Sequence, residues 1–279
     1  MQSCVKQVVL SVWVAAMVAA GSALANEKAE PDPAQSTYWD PIKKIMFGDR
    51  EILDGKDIAR VYLPLKADDA STVPITVKAQ IEQTPQLYIK TIYVVVERNP
   101  SPAGGTFHFT PESGRVMIET RFRFEDFSHV RAIAETSDGK LYMASRWVKA
   151  AGGCSAPNGR NFVPPALMGK MKFKFEDETL TYDSPTLVQL MIRHPNESAL
   201  ASDFDPSKTP QFVRSLSVTY AGKPVMSAEV DFSISENPSF RFYFVPHEKG
   251  ELRAEVEDTH DQRFTQTMTI VSGMKLPGG

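Results

Sequence analysis

The sequence predicts an all-β protein: two β-sandwich domains joined by a flexible linker, with one short helix near the N-terminus. Three observations predict it. Nearly everything after residue 60 alternates apolar and polar residues with a period of two, as half-buried strands of antiparallel sheets do. Turn signals recur between the alternating runs. The alternation also stops at a stretch rich in Gly, Ala, Ser, Pro and Asn, residues 151–169, and then restarts.

In chain order, Pro41–Phe47 reads as a short helix, with Asp40 as N-cap, Pro41 at the first helical position and Gly48 as stop. Val73, Ile75, Val77, Ala79 and Ile81 point one way along a strand, and Thr76, Lys78 and Gln80 the other. Val116, Ile118, Thr120, Phe122 and Phe124 form a second inward row, which leaves Arg121 and Arg123 on a solvated face. Ser137-Asp138-Gly139-Lys140 closes a hairpin between Val130–Thr136 and Leu141–Val148, since Asp-Gly supplies the positive φ angles of a tight turn. After the linker, Met171, Phe173 and Phe175 alternate with lysines, Ala221-Gly222-Lys223-Pro224 makes another turn, and Phe240, Phe242 and Phe244 point inward. The domains expected are 36–150 and 170–273, with no internal repeat relating them.

Residues 1–25 read as an export signal: an apolar run through Ala20, then Ala23-Leu24-Ala25, the small-residue pattern after which signal peptidase cuts. Cleavage after Ala25 is expected to place the protein in the periplasm without a membrane anchor. The chain is mildly acidic, with a net charge of −3, and has no basic patch, which argues against a nucleic-acid partner. Its 5 histidines lack metal-ligand spacing, so no metal is expected. Glycine-rich phosphate loops, haem attachment motifs and nucleophile elbows are missing from the sequence, and neither a cofactor nor a catalytic residue is expected. Trp39 and Trp147 read as packing residues.

The chain has 2 cysteines, and Cys4 lies in the export signal. Cys154 is then a lone thiol in an oxidising compartment, where cysteines are usually paired. Its place in a linker, after Gly152 and Gly153, predicts an exposed and mobile side chain. Three fates are open to it: covalent carriage of a cargo, a disulfide-linked dimer through Cys154, or an incidental free thiol. A thiol of pKa ~8.5 is only slightly ionised at neutral pH. Lys149 and Arg160 are the nearby cations, and no histidine adjoins it as a base.

Several segments resemble a known family. Gly105-Thr106-Phe107-His108-Phe109-Thr110-Pro111, Ala132-Ile133-Ala134-Glu135-Thr136-Ser137-Asp138-Gly139 and Gly152-Gly153-Cys154 resemble SoxY. Arg193-His194-Pro195-Asn196-Glu197, Gly222-Lys223-Pro224-Val225 and Ser235-Glu236-Asn237-Pro238-Ser239-Phe240 resemble its partner SoxZ. The fused order is similar to SoxYZ-like carriers associated with quinoprotein (PQQ) dehydrogenases. The resemblance implies an immunoglobulin-like sandwich for each half and a non-enzymatic role. Cys154 would hold a cargo covalently, Gly152 and Gly153 would serve as a swinging arm, and periplasmic redox or sulfur-processing enzymes would be the partners. The family's arm ends its chain on two glycines, whereas here Ser155-Ala156-Pro157 follows and the chain continues. The thiol would therefore enter an enzyme channel as a loop, two chain segments wide. Reach is ample: ~20 Å from Val148 and ~50 Å back from Lys170, at ~3.3 Å per residue. The alternative function is a tandem interaction module docking on an exported dehydrogenase or redox partner.

Overall fold

The computed structural model describes residues 30–159 and 163–276; the expected export signal, its cleavage site after Ala25, Cys4 and Arg160 lie outside them. The fold is all-β, as predicted. The strands of the first half are β1 (Ile52–Asp54), β2 (Ala59–Tyr62), β3 (Val73–Ala79), β4 (Ile89–Val96), β5 (Ala103–Phe109), β6 (Met117–Phe122), β7 (Ser128–Thr136) and β8 (Leu141–Val148). Those of the second are β9 (Met171–Phe175), β10 (Thr186–Ile192), β11 (Val213–Tyr220), β12 (Lys223–Val230), β13 (Ser239–Phe244), β14 (Gly250–Asp258) and β15 (Arg263–Ile270).

They form two layers that both run through the two halves. One sheet has nine strands in the order β1-β8-β7-β4-β5-β12-β11-β14-β15, and the other six in the order β2-β3-β6-β13-β10-β9. The halves meet edge to edge: β5 pairs antiparallel with β12, Phe107 opposite Ala228, and β6 meets β13 where Glu119 faces Arg241. This pairing satisfies strand edges that two separate sandwiches would expose. One hydrophobic core spans the seam, with the rings of Phe107 and Phe240 6.4 Å apart. The inward rows are as the alternation predicts: Val73, Ile75 and Val77, then Val116, Ile118, Phe122 and Phe124, then Phe240, Phe242 and Phe244, are all buried.

The helix α1 covers Trp39–Phe47, and Gly48 stops it at φ 61°, its N–H donating to Lys44 O. Asp40 is not the N-cap; it sits inside the first turn, where its charge complements the helix dipole. Trp39 and Phe47 pack on Val95, Ile133 and Leu141, on the outside of the nine-stranded sheet. Covered on both faces, β7 is buried at every position. In the hairpin after it only Gly139 has positive φ (84°), so Asp138 does not share the strain of the turn; Ala221 and Gly222 both do (48° and 79°).

A buried ion pair fixes the entry of the chain. Arg131 and Glu97 are hydrogen-bonded and almost fully buried, and Arg131 also donates to Pro33 O (2.6 Å) and lies 4.5 Å from the Trp39 ring. Burial alone would raise the Glu97 pKa, but hydrogen bonds from His129, Ser36 and Arg131 hold its carboxyl below the usual range. Removing one partner leaves an uncompensated buried charge, so Arg131→Ala is expected to cost about 3–5 kcal/mol. Urea unfolding measures this; a cost below about 1 kcal/mol, typical of exposed pairs, would contradict the assignment.

Candidate functional site

After β8, residues 152–159 of the expected linker are held by hydrogen bonds in this structure. Gly152 N donates to Glu125 O (2.9 Å) and Gly153 N to Phe124 O (2.7 Å), so the chain lies alongside residues 124–125 as a short extra strand would. Glu125 then caps the loop. Its Oε2 accepts from the backbone N–H of both Cys154 (3.1 Å) and Ser155 (3.0 Å), and its Oε1 accepts from Ser155 Oγ. Successive amides that converge on one carboxylate form an anion nest. On the far side Ser198 Oγ donates to Cys154 O (2.7 Å). Asn158 and Ser198 exchange two further hydrogen bonds, of 2.8 and 2.9 Å, Asn158 N donates to Asp203, and Gly159 N donates to Glu236.

Cys154 is consequently enclosed, with 0% of its surface exposed. The expectation of an accessible, mobile thiol is corrected here: polar groups on both halves hold the loop, and the side chain is packed inside. In this conformation it cannot reach a second molecule, so a disulfide-linked dimer through Cys154 does not fit it. Burial pushes the thiol up to about 12, the Glu125 and Asp231 carboxylates push in the same direction, and Arg123 opposes them. The cation acting on the thiol is thus Arg123, and Lys149, expected nearby, is not among the charges that move it.

The two arm glycines are used differently from expectation. Gly152 has φ 77°, a conformation costly for other residues, with open space around its Cα. Gly153 has an ordinary φ but lies so close to Ala70 that an added Cβ would collide with the Ala70 carbonyl and press on Phe124 N. In this conformation each glycine fits a geometry that a side chain would strain.

Arg123, expected on a solvated strand face, is buried. The strand β6 ends at Phe122, and where the pleat ends, alternation no longer assigns faces. Its guanidinium donates to three carbonyls, Phe232 O (2.7 Å), Ile234 O (2.6 Å) and Asn196 O (2.7 Å), all in the second half. Asp231, close enough to act on both Arg123 and Cys154, has its pKa raised by burial. Its Oδ2 has no hydrogen-bond partner among the described residues. The thiol is thus held protonated beside a buried cation and two carboxylates, with no histidine acting on it as a base. Sequence reasoning missed Glu125, Ser198 and Asn158, because isolated polar residues in loops carry no periodic signal. Among the described residues there is no cluster able to ligate a metal, and no helix long and apolar enough to cross a membrane.

Comparison with known proteins identifies two domains in tandem. Residues 43–154 match the family model of sulfur oxidation protein SoxY, and residues 173–269 that of sulphur oxidation protein SoxZ. The first match ends on Cys154. Among solved structures, the sulfur carrier protein SoxY from Chlorobium limicola f thiosulfatophilum is 24% identical, covering 40% of this chain and 90% of that one, with a TM-score of 0.34. A superoxide reductase (neelaredoxin) from Ignicoccus hospitalis is 19% identical, covering 38% of this chain and 82% of that one, at a TM-score of 0.30. Fibronectin(III)-like modules of Clostridium thermocellum CbhA are 10% identical, covering 81% and 92%, at 0.24. Likeness at these scores assigns no activity. No curated protein matches the sequence.

Proposed function

Because this chain belongs to the sulfur-oxidation carrier family, as a SoxY domain fused to a SoxZ domain, we propose that it is a non-enzymatic periplasmic carrier holding a sulfur-containing intermediate covalently on Cys154. The observation that carries this reading is the tandem match itself, whose SoxY part covers the first half and ends on that cysteine. Cys154 is also the free cysteine of the described residues. The periplasmic location rests on the export pattern of residues 1–25. Exported sulfur-processing and redox enzymes are the partners in this reading. A PQQ-dependent dehydrogenase system is included among them on the strength of the fused arrangement.

The enclosed thiol adds a condition. Loading requires residues 152–159 to leave Glu125 and Ser198, which exposes Sγ and lets its pKa fall toward that of an ordinary thiol. A hydrogen bond to a charged group is worth about 1.5–3 kcal/mol. Two or three at Glu125 therefore keep the loop shut in the resting protein, yet remain within what docking of a partner supplies. Sequestration protects a lone exported thiol from adventitious oxidation between rounds.

The same burial favours a second reading, a tandem immunoglobulin-like module that docks on an exported dehydrogenase or redox partner and never uses the thiol. Protein purified from its native host separates the two. Carriage predicts a fraction with a mass adduct that maps to Cys154 and disappears in Cys154→Ser, while partner binding persists. Bare thiol throughout, under conditions in which the pathway turns over, together with full function of Cys154→Ser, selects the interaction module.

A further inference from the structure

The outer face of the six-stranded sheet holds a cavity of 540 Å³ with an unusual charge for an acidic protein. Among the described residues four cations line it, Arg121 from β6, Lys170 just before β9, Lys172 within β9, and Arg193 just past β10. Backbone pairing brings them together. Lys172 lies opposite Met191 in register, Arg193 N donates to Lys170 O (2.8 Å), and Gly169 N donates to Arg193 O (2.7 Å). None of the four forms an ion pair among the described residues, whereas Arg241, on β13 of the same sheet, pairs with both Glu119 and Glu176. Among the described residues Glu236 supplies the one carboxylate at the cavity, which leaves that lining with an excess of positive charge.

The apolar part of the lining is as distinctive. Met191 and Leu167 are large hydrophobic side chains left 41% and 38% exposed, and both border the cavity. Asn237 adds a polar group of fixed position. It accepts from Arg121 Nη2 through its backbone carbonyl (3.0 Å), and its own side-chain Oδ1 is buried with no partner among the described residues. Four cations without an ion pair among the described residues and two exposed apolar side chains are what an amphipathic anion would satisfy together. Sulfate or phosphate alone would leave Met191 and Leu167 in water, and a neutral apolar ligand would leave the cations unpaired.

We propose that this cavity is a binding site for a small amphipathic organic anion, a carboxylate or sulfonate carried on a short apolar chain. The site stands independently of covalent carriage on Cys154. Hexanesulfonate is the probe, titrated into the full chain by calorimetry, with inorganic sulfate and hexyltrimethylammonium as controls. Hexanesulfonate is expected to bind, more weakly as salt rises, and more tightly than either control. The double variant Lys172→Glu/Arg193→Glu should lower its affinity about tenfold or more by reversing two contacting charges, and Met191→Ser should lower it separately. These positions are exposed and outside the core, and an unchanged urea midpoint verifies that the variants are folded. No binding of hexanesulfonate, binding untouched by the double charge reversal, or sulfate binding as tightly as hexanesulfonate would each overturn the assignment.

Discussion

Native protein should react with a thiol reagent at Cys154 about a thousand-fold more slowly than the same protein in urea. A thiol raised from 9.0 to about 12 has its thiolate population near pH 8 cut by about three powers of ten. The pH profile separates this from simple steric cover. An ordinary thiol stops gaining reactivity above pH ~9, once it is ionised. Here the folded value lies above the unfolded one, so the stabilisation of the closed loop is complete below pH ~9 and is lost as pH rises toward about 12. Reactivity should therefore keep climbing through that window. Glu125→Ala removes the acceptor of the Cys154 and Ser155 amides and one of the carboxylates that disfavour the thiolate. It should accelerate labelling and bring the plateau down toward pH 9. Gly153→Ala should do the same for a different reason, because its new methyl group has no room against Ala70. Fast labelling of the unmodified protein at pH 7, or a Gly153→Ala variant as slow as the parent, would remove the closed loop from consideration.

Arg123→Met is the second large effect. Three carbonyls of the second half, on Phe232, Ile234 and Asn196, lose their donors together, in a place where water does not replace them. Each orphaned buried acceptor costs about 1–3 kcal/mol, and partial relaxation makes a total of about 3–5 kcal/mol reasonable. The loss is offset in part because methionine does not need to desolvate a charge. Arg123→Lys should recover less than half of it, since one ammonium cannot reach three diverging carbonyls as a planar guanidinium does. Denaturant midpoints of the two variants give both numbers. Because Arg123 also acts on the Cys154 thiol, the methionine variant should shift the labelling profile further up in pH. A variant whose midpoint stays within about 0.5 kcal/mol of the parent, the range of ordinary surface changes, would show that these carbonyls find other partners.

Both effects arise at the seam between the halves, and the seam is where reading the chain alone fell short. The inward rows of Val73–Val77, Val116–Phe124 and Phe240–Phe244 were visible because a strand repeats every two residues and each row has one buried face. The stop at Gly48 was equally visible, since the chain needs a positive φ there. Edge pairing of β5 with β12 leaves no such mark. Main-chain hydrogen bonds join those edges, and they are blind to side-chain type.

Residues 151–159 illustrate the same limit. Their small and turn-forming residues correctly announced a break in strand structure, and Cys154 is where the SoxY match ends. Composition, however, reports only that a segment lacks a hydrophobic repeat of its own. Whether it moves depends on what faces it, and here Glu125, Ser198 and Ala70, distant in sequence, converge on it. The strands, the turns and the tandem order were therefore written in local pattern. The enclosure of the thiol was settled by long-range contacts between polar loop residues, whose effect exists only once both sheets have assembled.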